Sequence, residues 1–346
     1  MKNNTAPRAE ELAPLRHHFP VLENSTYLNT GTAGPIPDFS HQALLDEATF
    51  ELETGRGNFA HWDRFFTLLE RAHELMARVF GATSAEVALT HHTSEAMNIV
   101  LWGHDWQADD EIVTTSLEHD AAVIPLGLLR ERHGVKLRFA EIGYGERSLE
   151  GLKEVLSEKT RLVVLSHIAY SSGALLPLRE TIDLAHDAGA RVLVDGAQTC
   201  GAMPLDVHAL GADFYTLSGQ KWMLGPEGTG ALYVREALLD ELRPTFSSYF
   251  SAKHHDFRGN VELQPNARRF ETGMVHRPSW AALVKSTAWL LEHVGIERAW
   301  QRSIQLASTA RERLTKLEGL NLITPSAQAS PLLSFDLPAF SPGELF

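Results

Sequence analysis

From residue 86 onward the chain alternates short apolar runs with amphipathic segments, the pattern left by parallel strands joined through crossover helices. That alternation predicts an α/β protein with a mostly parallel central sheet flanked by helices. The strand candidates are EVALT (86–90), EIVTTS (111–116), VKLRFAEI (135–142), RLVVLSHIA (161–169), RVLVDGA (191–197), DFYTLSG (213–219) and GALYV (230–234), all rich in β-branched residues. Between them, 119–133 and 178–188 read as helices closed by Gly134 and Gly189, where a helix end favours a left-handed residue. Residues 38–54 and 61–80 read as two helices ahead of the sheet, the second closed by Gly81. After the sheet, 279–316 holds two helical stretches separated near Gly295, and LNLITP and PLLSFDLP read as strands of a smaller α+β unit. The polar block 245–267, with its His254 to Asp256 cluster, is expected to be a crossing between units or a loop facing a partner.

These readings divide the chain into an N-terminal arm (1–26), a large ligand-binding domain (27–250) and the start of a small C-terminal domain (251–346). The last residues, SPGELF, fall just after a strand, so the small domain is expected to be incomplete. A net charge of -13 with scattered acidic residues argues against a nucleic-acid partner. No apolar run approaches the length of a membrane span, and the first residues lack the apolar core of a signal peptide, so a cytoplasmic location is the expectation. Cys200 is the single cysteine, which excludes an intrachain disulfide framework and a thiolate metal site. The histidine doublets at 17–18, 91–92 and 254–255 lack the spacing of a helical zinc site, so no metal is expected and loop or surface positions are favoured.

Chemistry concentrates in residues 192–234. Asp195 closes one buried-strand candidate and Lys221 follows another, and ligands of open α/β sheets sit outside the carboxyl ends of strands. A lysine desolvated beside Trp222 and Met223 loses basicity and can attack an aldehyde to form a Schiff base. Pyridoxal 5'-phosphate (PLP) supplies such an aldehyde, and its ring nitrogen calls for an acid such as Asp195. Taken singly, Asp195 reads equally as a turn former and Lys221 as a solvated cation. Likewise His119 reads as a helix start, and Thr93, Ser94 and Glu95 as a helix cap that holds either an anion or nothing. The glycines 225, 228 and 230 precede a strand, which is the wrong context for a nucleotide fingerprint.

The joint arrangement is more specific. DGAQ begins 26 residues before the lysine of SGQK, and GPEGTG follows. Together with YLNTGTAGPIP, HTSEAMNIV, SLEHDAAVIPL, SHIAYSSGALLPL and RRFETG, this order resembles class V aminotransferases, the PLP enzymes of fold type I that include cysteine desulfurases and isopenicillin epimerases. The resemblance runs from Tyr27 to Phe335. It implies that Lys221 carries PLP, Asp195 pairs with the pyridinium nitrogen, Gln198 reaches the phenolic oxygen and His119 stacks on the ring. Thr93, Ser94 and Glu95 would take the phosphate from one side, and Ser218 and Gln220 from the other. A homodimer acting on a small amino acid is also implied.

Departures from the pattern matter. Tyr170 stands where cysteine desulfurases usually carry asparagine, and Met274 where many relatives have a threonine that reaches the neighbouring subunit's phosphate. No cysteine occurs where a desulfurase holds its thiolate, and the family's carboxylate-binding arginine lies beyond Phe346, with Arg268 or Arg269 as the substitutes at hand. The expected activity is PLP chemistry at Cα of an amino acid, with transamination ranked first and carbon-sulfur lysis or epimerisation as alternatives. A catalytically idle PLP-fold binding protein is the non-enzymatic alternative. Its weakness is that a scaffold has no use for a lysine and aspartate paired in this way.

Overall fold

A computed structural model describes residues 14–141, 148–273, 275–326 and 330–345. After a short helical turn at Val21–Asn24 come two long helices, α1 (Asp38–Thr54) and α2 (Phe59–Phe80). The Asn58 side chain caps α2 by accepting the His61 N–H, and Gly81 closes it at φ 69°. The sheet then grows through β1 (Val87–Thr90), α3 (Thr93–Gly103), β2 (Glu111–Thr115), α4 (Asp120–His133) and β3 (Lys136–Ala140). It continues with α5 (Ser148–Val155), β4 (Thr160–Ser166), α6 (Leu178–Asp187), β5 (Arg191–Asp195), β6 (Phe214–Ser218) and β7 (Gly230–Val234). All seven strand candidates are present.

The strand order is β1-β7-β6-β5-β4-β2-β3. Pairing is parallel from β3 through β6, while β7 runs antiparallel to both β6 and β1. The central strands β5, β6 and β7 are buried almost throughout because both faces are covered, whereas the edge strand β3 is largely exposed. Val192 and Val194 pack into one core with Phe65, Leu75 and Ile182, whereas Leu193 between them packs into the other with Ile99, Leu126 and Phe270. Successive side chains of one strand thus serve opposite layers. The consequence for chemistry is that the central strands β5 and β6 meet the cavity only at their ends.

Downstream lie α7 (Arg277–Trp289), a π-helical turn (Leu290–Val294), and α8 (Ile296–Leu314), with Gly295 at φ 80° between turn and helix as the sequence suggests. Two short strands, β10 (Asn321–Leu322) and β11 (Phe335–Asp336), pair antiparallel. The polar block 245–267 holds a hairpin that the sequence pattern does not announce, β8 (Ala252–His255) with β9 (Val261–Leu263). Asp256 makes the turn by accepting the Arg258 and Asn260 N–H groups on Oδ1, each at 2.9 Å. Exposed polar strands carry no apolar alternation, so pattern reading passes over them. Met274 lies outside the described residues.

Gly196, directly after β5, shows how tightly the strand ends are packed. A Cβ there would lie 2.1 Å from Tyr215 Cε1 and 2.3 Å from the Thr216 carbonyl oxygen. Tyr215 cannot yield, because its hydroxyl is held by His167 Nδ1 and by Thr199 Oγ1, both at 2.7 Å. Gly196→Ala is expected to destabilise the protein by about 3 kcal/mol through overpacking, read as a lower urea midpoint.

Candidate active site

The carboxyl ends of β4, β5 and β6 and the loop after β2 converge on one cavity of about 600 Å³. That volume suits a small organic ligand. Thr93, Ser94, His119, Asp195, Gln198, Ser218, Gln220 and Lys221 all line it, joined by Gly31, Thr32, His92, Ser166 and Tyr170. Residues separated by up to about half the chain are therefore gathered because each follows a strand end or opens the helix beyond one.

Asp195 is 5% exposed, and its Oδ1 accepts the Ala197 N–H at 2.9 Å. Burial pushes its carboxyl above the usual range, opposed by that hydrogen bond and by the positive fields of Lys221 and His119. Burial in turn pulls the Lys221 ammonium below its ordinary value, opposed by Asp195. Each group is thus driven toward its neutral form by desolvation and held charged by the other. A lysine in this setting is a better nucleophile than a solvated one.

Gln198 is fixed from two sides. Its Oε1 accepts the Trp222 indole N–H at 2.8 Å, and its amide nitrogen donates to the Gly31 carbonyl at 2.8 Å. One amide N–H is left over to donate into the cavity. Gly31 belongs to the YLNTGTAGPIP segment, which crosses the site; nearby, the Gly34 N–H donates to the Gln220 carbonyl at 2.7 Å. A Cβ on Gly34 would come within 2.1 Å of the Lys221 carbonyl oxygen, so only glycine lets this segment lie against the lysine loop.

His119 is the N-cap of α4: its Nδ1 accepts the Ala121 N–H at 3.1 Å, which leaves Nε2 as the ring nitrogen free to donate. The ring also meets Tyr170 edge to face at 4.9 Å between centroids. Helix start and cavity wall are therefore one position. At the other end, the Thr93 and Ser218 hydroxyls are hydrogen-bonded at 2.8 Å, so the two halves of the expected phosphate cradle touch. Here α3 presents its N-terminus, the positive end of the helix dipole.

Two expectations about this helix change. Its N-cap is His92, whose Nδ1 accepts the Glu95 N–H at 3.0 Å, and not Thr93 or Ser94. Glu95 does not line the cavity: its N–H is taken up by His92, and its carboxylate accepts from the His91 backbone at 2.6 Å and lies 2.7 Å from the His91 ring. The preference of imidazole for a cap position beside a strand end is too weak to read in advance. Arg269 also stands apart, bound to Asp240 at 2.6 Å and to the Gln264 carbonyl, and neither it nor Arg268 lines the cavity. No group of three or more metal-binding side chains occurs among the described residues.

The residues present fit PLP. Gln220 Oε1 is buried without a hydrogen-bond partner at the cavity, Asp195 and Lys221 both line it and act on each other electrostatically, and the α3 N-terminus with Thr93 and Ser218 forms an anion-binding end.

Comparisons agree with this geometry. The probable cysteine desulfurase of Methanothermobacter thermautotrophicus is 30% identical over 333 residues, which are 96% of this chain and 82% of that protein. The cysteine desulfurase of Synechococcus elongatus is 30% identical over 353 residues, covering 96% of this chain and 54% of that one, so the chain spans about half of this relative's length. Among solved structures, the cystine C-S lyase C-DES in complex with its reaction product cysteine persulfide superimposes with a TM-score of 0.87 at 29% identity, over 92% of this chain and 86% of C-DES. A lysine-to-alanine variant of C-DES with glycine covalently linked to its PLP cofactor gives a TM-score of 0.89 at 29% identity, over 94% and 86%. The fold is the type I fold of PLP-dependent enzymes. The family model described as Aminotransferase class-V matches residues 40–345, and the chain belongs to the class-V aminotransferase family, whose enzymes depend on PLP.

Proposed function

We propose that this chain is a PLP-dependent carbon-sulfur lyase acting on a sulfur-bearing amino acid, and that Cys200 is not a sulfur-attacking thiolate in it. The observation that carries the reading is that Lys221 and Asp195 line one cavity and feel each other's charge. PLP, when bound, supplies the aldehyde that holds an amino group and a ring that draws electrons from Cα. Lys221 would anchor it, Asp195 would accept the ring nitrogen's proton as a hydrogen bond, and Gln198 would donate to the phenolic oxygen. Thr93, Ser94, Ser218 and Gln220 would hold the phosphate, and His119 would lie against the ring. Once its amine is freed by substrate, Lys221 takes the proton from Cα. The electron pair left there expels sulfur from Cβ, and sulfur departs with the bonding pair.

The names of the relatives bring carbon-sulfur lysis ahead of transamination, and Cys200 is poorly suited to carry a persulfide. Its side chain is 2% exposed, and burial raises its thiol well above the ordinary value, which suppresses the thiolate needed to attack sulfur. Cys200→Ala is expected to keep at least about half of wild-type turnover, since methyl-for-thiol exchange in a packed site is a small change. Loss of turnover in that variant would reinstate a thiolate mechanism. In the same reading the protein is a cytoplasmic homodimer, with a large PLP-binding unit to about residue 250 and a smaller one beyond.

The deciding experiment incubates PLP-loaded protein with cysteine, cystine and a panel of other amino acids. Release of pyruvate with sulfide or persulfide supports the lyase. Conversion of the cofactor to its amine form, with the keto acid of the substrate, assigns transamination instead. A protein that stays colourless with added PLP overturns both.

A further inference from the structure

Glu118 immediately precedes His119, is 6% exposed, and has no part in holding PLP as proposed above. Its surroundings are specific. Thr115 donates its hydroxyl to Oε1 at 2.6 Å, and Ser166 donates to Oε2 at 2.7 Å. Thr115 Oγ1 also accepts the Leu117 N–H at 3.0 Å, so one of its two lone pairs is already taken. Ser166 is the last residue of β4, stands in register with Asp195 at the end of β5, and lines the cavity. A second carboxyl is therefore buried behind Asp195, linked to the cavity by a single hydroxyl.

The two ends of this carboxyl behave differently when a proton arrives. A proton on Oε1 would have to share Thr115 Oγ1 with the Leu117 N–H and send the Thr115 O–H to a new acceptor, whereas no such N–H competes at Ser166 Oγ, so the proton is better placed on Oε2. There it points at Ser166 Oγ. Ser166 then becomes an acceptor on that side, and its own O–H is released toward the cavity it lines. We infer that Glu118 is a positioning residue whose protonation switches the Ser166 hydroxyl from Glu118 to the cavity beside Asp195. The inference deepens the PLP reading and rests on it only for what the released hydroxyl meets.

The electrostatics agree. Burial is the largest influence on Glu118 and raises it to about 7; the negative field of Asp195 adds to this, while hydrogen bonds from Thr115 and Ser166 oppose it. Asp195 is the ionisable group that faces Glu118 from β5, and Lys221 and His119 act through their fields on Asp195. Any ligand cation that keeps Asp195 ionised strengthens the demand that Glu118 hold a proton. Two adjacent buried carboxyls resist ionising together.

The test uses apoprotein carrying ¹³C at the glutamate carboxyl carbons, followed by NMR against pH. One signal, missing in Glu118→Gln, is expected to titrate near 7. Asp195→Asn should move that midpoint down by about one pH unit, because a like charge is removed, and Ser166→Ala should move it up, because the ionised form loses a donor. In PLP-loaded protein, Ser166→Ala should abolish the dependence of the visible band on this titration. A Glu118 signal in the ordinary carboxylate range, or one indifferent to both variants, overturns the proposal. Should Glu118→Gln fail to fold, the Asp195→Asn and Ser166→Ala shifts still identify the signal and decide the matter. A protein that takes up no PLP would sink the proposed function but leave the apoprotein titration intact.

Discussion

Lys221→Ala is expected to lower turnover on the order of 10⁴-fold, the upper end of what one positioned general base contributes. The loss is large because one amine has two duties, holding the aldehyde and moving the Cα proton. Nothing else beside Asp195 in the cavity wall is an amine: the neighbouring basic groups are imidazoles, His92 and His119, and His119 Nδ1 is occupied by the Ala121 N–H. A borohydride-treated wild-type protein should retain the cofactor through denaturation, with the label on the peptide containing Lys221. The variant should bind PLP only reversibly, through the Thr93, Ser218 and Gln220 end and Asp195. Retention of a denaturation-resistant label in Lys221→Ala would move the anchor elsewhere and undo the assignment. The arrangement also sets a direction for pH: because burial lowers the Lys221 ammonium, its neutral amine persists to lower pH than an ordinary lysine's, so reduction-trapped PLP should too.

Arg277→Ala is expected to cost about 3–5 kcal/mol of stability, the usual consequence of stranding one partner of a buried ion pair. Arg277 opens α7, is 2% exposed, and donates to Glu47 of α1, to His61 Nδ1 at 2.7 Å and to the His61 carbonyl at 3.1 Å. Glu47 is itself 3% exposed and also accepts from Arg64 at 2.7 Å. Removing the guanidinium leaves a buried carboxylate with only the half-exposed Arg64 to answer it. Urea unfolding should show the loss as a lowered midpoint with little change in slope. Pairing Arg277→Met with Glu47→Leu should recover much of it, since well-packed apolar residues replace a buried pair at little cost. Equal losses in the single and double variants would mean that the helices are held by shape and not by charge.

Much of the site was legible from the order of residues along the chain, for a physical reason. Asp195, Gln198, Ser218 and Lys221 each follow a strand that announces itself by continuous burial, and the end of a parallel strand has one place to go. Their convergence needs no knowledge of side-chain packing. Glu118 and Ser166 were invisible by comparison. Glu118 looks like any acidic residue at a helix start, and only the register of β4 against β5 brings Ser166 beside Asp195 and within 2.7 Å of Glu118. Glu95 shows the opposite case: a helix opening near an anion site points to its backbone, and in the structure the exposed His92 imidazole accepts that N–H.

By itself, then, the sequence determined the α/β alternation, the helix ends at Gly81 and Gly134, and the cofactor core around DGAQ and SGQK, because these depend on local period and on single residues at strand ends. Tertiary structure alone decided that Gly31 crosses the chain to hold Gln198, that Thr93 and Ser218 touch, that Arg277 meets Glu47 across 230 residues, and that a second carboxyl lies behind Asp195. Each of these depends on how far one strand or helix slides along another. A slide of one residue turns a strand's side chains to the other face, so such contacts exist only once the register is set.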